Sequence, residues 1–84
     1  MKAVKKLTSV QKAYRTLYFK HGTDRGASFL ANVIMNGCSK PTTKLHNLIK
    51  LLDKGIQVQC AQFDMFTITV DGERHPLSYL DKSA

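Results

Sequence analysis

The 84-residue sequence predicts an α+β domain: a three-helix core followed by a small antiparallel hairpin. Three observations predict it. Apolar residues recur at helical spacing through three capped segments before Gly55, the period falls to two beyond that glycine, and Asp71-Gly72 separates two short runs in the manner of a tight hairpin. A chain of this length has room for a single modest core, and its apolar share and its three Tyr and four Phe are enough to build one. The expected boundaries are a basic N-terminal tail over 1–8, one domain over 9–80 and a C-terminal tail over 81–84.

In the first segment, LTSVQKAYRTLYFKHG, Thr8 or Ser9 can cap a helix whose apolar side is Val10, Ala13, Tyr14, Leu17 and Tyr18. Gly22 is expected to end it in the left-handed conformation. The second segment, TDRGASFLANVIMNG, has Thr23 or Asp24 as cap and Ala27, Leu30, Ala31 and Ile34 on one side. Phe29 and Val33 widen that stripe, which predicts a helix lying between the other two and closed by Asn36-Gly37. The third, SKPTTKLHNLIKLLDKG, places Ser39 as cap and Pro41 in the first turn, where its missing N–H costs nothing. At about 100° per residue, Leu45, Leu48, Ile49 and Leu52 form one arc. Lys40, Thr43, Lys44, Asn47, Lys50 and Lys54 form the opposite arc, and Leu51 sits on its edge without an evident partner.

Past Gly55, Ile56, Val58 and Cys60 alternate with Gln57, Gln59 and Ala61, and Phe66, Ile68 and Val70 alternate with Thr67 and Thr69. Each pattern marks a strand with one buried face. The Asp71-Gly72 turn leads into a short strand over Glu73 to His75; Pro76 stops its pairing, and Leu77, Tyr79 and Leu80 fold back onto the core.

The net charge of +7 is concentrated in the first two thirds of the chain. Residues 1–61 carry eleven basic and two acidic side chains, whereas 62–84 carry two basic and four acidic ones. Such asymmetry points to an anionic partner, nucleic acid before membrane. No apolar run forms a signal-peptide core or reaches bilayer-spanning length. Cys38 and Cys60 lie outside any C-x-x-C or zinc-finger spacing and read as reduced, buried thiols of a cytoplasmic protein.

Helix, helix, helix, strand, strand, short strand is the order of a winged helix-turn-helix. The run TKLHNLIKLLDKGIQVQ followed by FTITVDGERHPLSYL resembles the end of small phage helix-turn-helix proteins. Those have a basic third helix, a Lys-Gly or Arg-Gly stop, a strand, then a threonine-rich strand turning at a glycine. The resemblance implies DNA binding through helix three, with Ser39 to Lys50 nearest the bases. Two departures stand out: MNGCSKP is longer than a tight turn, and Asp71 and Glu73 occupy a wing that would carry Lys or Arg against phosphate.

Read from the residues themselves, Lys40, Lys44 and Lys50 are candidates to neutralise phosphates, with Lys12, Arg15 and Arg25 extending the basic block. Asn47 has an amide suited to adenine, and Thr43 has a hydroxyl and a methyl that can read a base edge. Lys5 and Lys6, with Lys2, can follow the backbone or enter a minor groove as an arm.

Enzyme chemistry has little support. His21, His46 and His75 lack neighbours at ligand spacing, no glycine loop cradles a phosphate, and neither a cofactor nor a metal is expected. Single-strand RNA binding is disfavoured because Tyr14, Tyr18, Phe29 and Phe66 fall at core-facing phases. The expected activity is therefore a duplex DNA-binding regulator or accessory factor of a phage or mobile element. The alternative is a small basic interaction protein, an inhibitor of phage type that grips a host protein. The oligomeric state stays open, a homodimer included.

Overall fold

In the computed structural model, residues 8–37, 39–61 and 64–82 are described, with the side chains of 64 and 65 excepted. Helices α1 (Ser9–His21), α2 (Arg25–Met35) and α3 (Pro41–Asp53) precede strands β1 (Val58–Ala61), β2 (Asp64–Val70) and β3 (Glu73–Pro76). A 3-10 helix, Leu77–Asp81, follows β3 directly. The strands form one antiparallel sheet in the order β1-β2-β3. The fold is α+β, three helices followed by a small sheet in a winged-helix-like arrangement.

Local chemistry explains the helix starts. Thr8 and Gln11 form a reciprocal capping box at α1: each side chain bonds the other's backbone N–H. Asp24 caps α2 by accepting from the Ala27 N–H at 3.1 Å. Gly22 differs from expectation, because it is right-handed at φ −64°. A Cβ there would stand 2.3 Å from the Tyr18 carbonyl oxygen, so close approach, not handedness, calls for glycine. The turn joining β2 and β3 is as expected: Asp71 at φ 53° and Gly72 at φ 90° give the two positive angles of a type I′ hairpin.

The core is aliphatic. Ala13 and Leu17 of α1, Leu30 and Ile34 of α2, and Leu45, Leu48 and Leu52 of α3 pack with Val58, Ile68, Val70, Leu77 and Leu80. Helix α2 does not separate its neighbours, since α1 and α3 pack directly on one another while α2 also lies against β1. Tyr14 alone among the described aromatics leans on the core, half-buried. Tyr18, Phe29 and Phe66, expected inside, are 61%, 53% and 75% exposed.

Physical reasons differ for each. Tyr18 and Phe29 sit at the margins of helical arcs whose centres are already filled by Leu17 and Leu30, both buried. In the sheet, pairing runs Val58↔Val70, Gln59↔Thr69 and Cys60↔Ile68, then jumps to Ala61↔Asp64. That bulge breaks the alternation: Ala61 turns inward while Phe66 lies outside. Cys60, expected to be buried, is half-buried; Cys38 lies outside the described residues.

Candidate nucleic-acid interface on helix three

Helix α3 begins at a strained residue. Lys40 is the N-cap, in the left-handed conformation at φ 50°, ψ 53°, and provides no side-chain cap; Pro41 follows at the first helical position. Ser39, expected to cap, accepts instead from Lys44, whose ammonium folds back to the Ser39 carbonyl. The same ammonium donates to Asp81 Oδ1 at 2.7 Å.

This overturns part of the expected reading face. Lys44 is 2% exposed, its charge held by Asp81 and the Ser39 carbonyl, so it is no phosphate contact in this conformation. Asn47 is 6% exposed, and its Nδ2 donates to the Leu80 carbonyl at 2.6 Å. Its amide is committed inside the protein and does not face a base. The cause is the 3-10 helix, which packs along this side of α3. It also accounts for Leu51, which is buried on the same flank. Asp81, assigned by the sequence to a tail, belongs to this layer.

What remains outside is a narrower stripe. Thr43, His46 and Lys50 are exposed on successive turns, with Lys40 before them and Lys54 after them, both also exposed. The C-terminal ends of α1 and α3 are tied by Asp53, which takes His21 Nε2 at 2.8 Å and Lys20 Nζ at 3.3 Å. The hydrogen bond from His21 above all holds the Asp53 carboxyl below its ordinary value; desolvation opposes it, and the hydrogen bond and charge of Lys20 add to the lowering. The stripe therefore runs between this staple on one edge and the 3-10 helix on the other.

Of the residues expected at the interface, Lys40, Thr43 and Lys50 share this stripe, and Lys44 and Asn47 leave it. Lys12 and Arg15 are exposed on α1 and Arg25 in the first turn of α2, away from the α3 stripe along the chain. Arg15 faces the Phe19 ring at 5.9 Å from its centroid. Lys5 and Lys6, with Lys2, lie outside the described residues. His46, which the sequence offers otherwise only as a possible metal ligand, joins the stripe; its helical phase, between Thr43 and Lys50, is the signal for that position. On the wing, Asp71, Glu73 and Arg74 are exposed. His75 of β3 stacks on Tyr79 at 4.2 Å.

No helix among the described residues is long and apolar enough to cross a membrane. No family model, curated protein or solved structure matches the chain.

Proposed function

We propose that this protein binds duplex DNA through the exposed stripe of α3, acting as a regulator or accessory factor of a phage or mobile element in the cytoplasm of its bacterial host. The observation that carries the reading is the stripe itself: Thr43, His46 and Lys50 stand exposed on the third helix of a winged-helix-like arrangement, in a chain of net charge +7. A helix of this diameter fits a major groove, and its N-terminal turns approach the base edges. Lys40, Lys50 and Lys54 supply attraction to phosphates, which is independent of sequence. Thr43 and His46 are the readers: a hydroxyl with a methyl, and an imidazole that can donate or accept at a base edge.

Action would be by occupancy, with no covalent step. Selection from a random duplex pool at physiological salt tests the reading. An enriched motif whose binding is lost on His46→Ala supports it; a pool that stays random after repeated rounds contradicts base reading by this helix.

A further inference from the structure

Helix α1 presents a second surface, independent of the α3 stripe. Its thirteen residues include no Asp or Glu, and Lys12, Arg15 and Lys20 are exposed along it. Tyr18 and Phe19 lie among them, 61% and 77% exposed. Tyr14, Arg15, Tyr18 and Phe19 line a shallow pocket of about 340 Å³ whose walls are almost wholly apolar. An aliphatic core has left these rings outside, at the centre of a basic helix face.

We infer that this face docks an acidic segment of a partner protein, one that inserts an apolar side chain between Tyr18 and Phe19 and sets carboxylates against Arg15 and Lys12. Charge complementarity chooses the partner. Among the described residues, the pocket's flank carries the cations Arg15 and Lys12, while Lys20 at the end of the helix is already paired with Asp53; such a face selects against basic segments, and Arg and Tyr are the residue types that concentrate binding energy at interfaces. Arg15 is already oriented by the Phe19 ring, so its guanidinium is partly organised for a bidentate carboxylate.

Two other occupants fit less well. A second copy docking α1 on α1 about a two-fold axis would set the cations Arg15 and Lys12 against those of the other copy, with no carboxylate on α1 to offset them. Single-stranded nucleic acid needs rings in succession along a basic track, whereas Tyr18 and Phe19 are neighbours in sequence and flank one apolar pocket. The pocket accepts a side chain more readily than a sugar-phosphate.

Selection of a random peptide library displayed on phage, with the intact chain as bait, tests this. The enriched peptides should carry Asp or Glu around a Leu, Phe or Trp anchor. A synthetic peptide of that consensus, followed by fluorescence anisotropy, should bind at least tenfold more weakly to Phe19→Ala and to Arg15→Glu. Both side chains are exposed, so the variants should keep the parent's melting temperature, and the charge-neutral Phe19→Ala should keep its duplex DNA affinity if that rests on α3. Enriched peptides without acid, or peptide binding indifferent to Phe19→Ala, would overturn the proposal. It would equally be overturned if Phe19→Ala abolished binding of an oligothymidylate, or a concentration-dependent dimer, while peptide binding was unchanged.

Discussion

Replacing Asn47 separates the two roles that its position on α3 offers. In the structure its Nδ2 reaches the Leu80 carbonyl at 2.6 Å, and Leu80 is fully buried. Asn47→Ala therefore strands a buried acceptor, at a cost of about 1–3 kcal/mol, and loses some packing as well. A domain of this size holds roughly 4–12 kcal/mol in all, so the loss is a large fraction. It corresponds to a fall in melting temperature of about 4–24 °C. The near-isosteric Asn47→Asp should be no better, because a carboxylate oxygen would then face the carbonyl. Thermal unfolding followed by circular dichroism measures the loss. Binding to a preferred duplex and to random duplex, measured well below the variant's transition, should show unchanged preference between them. The reasoning fails if Asn47→Ala melts with the parent yet loses its preferred site, since the amide would then be facing the bases.

Three further outcomes follow from the packing. Leu48→Ala, at a fully buried position in the centre of α3, should cost about 2–5 kcal/mol in denaturant unfolding, and an unchanged midpoint would contradict the packing of this helix. At Lys40, left-handed at φ 50°, the β-branched Lys40→Val should destabilise by about 1 kcal/mol or more, whereas Lys40→Gly should be neutral or stabilising; the reverse order would deny the strained cap. Asp53 has a depressed folded-state pKa, so its stabilising effect is present above its ordinary value of 3.8 and is lost as pH falls through the folded value. Asp53→Asn should accordingly be less stable than the parent near neutrality and converge with it in acid below about pH 4, which a pH series of unfolding midpoints checks.

Most of the backbone plan was legible because its signals are periodic or local. The leucines of α3 repeat at helical spacing, Thr8 and Asp24 are capping residues before apolar runs, and Asp71-Gly72 names its own turn type. Two features carry no such signal. The 3-10 helix Leu77–Asp81 is too short to show a period, yet it decides which polar residues of α3 are outside. Without it, Lys44 and Asn47 fall by phase on a solvent face; with it, they hold the last layer of the fold in place. The register jump after Cys60 is equally silent, since the alternation of Phe66, Ile68 and Val70 is unbroken in sequence while the pairing is not. The aromatics were misplaced for a related reason: a ring at the margin of an amphipathic arc has the phase of the core but needs a gap to enter it. Here Leu17 and Leu30 already occupy the centres of those arcs.

The salt dependence of duplex binding, with and without the Lys50 ammonium, addresses the central claim most directly. Lys50 is exposed on α3, so Lys50→Ala should leave the fold intact. Three phosphate contacts, from Lys40, Lys50 and Lys54, give a slope of about −2.7 in log affinity against log salt, or roughly a fortyfold loss between about 50 and 200 mM. The prediction is that the parent shows at least this slope, and that Lys50→Ala binds preferred and random duplex more weakly alike with a slope smaller by about one. A flat salt response in the parent, or an unchanged slope and affinity in Lys50→Ala, would contradict docking of this helix on DNA.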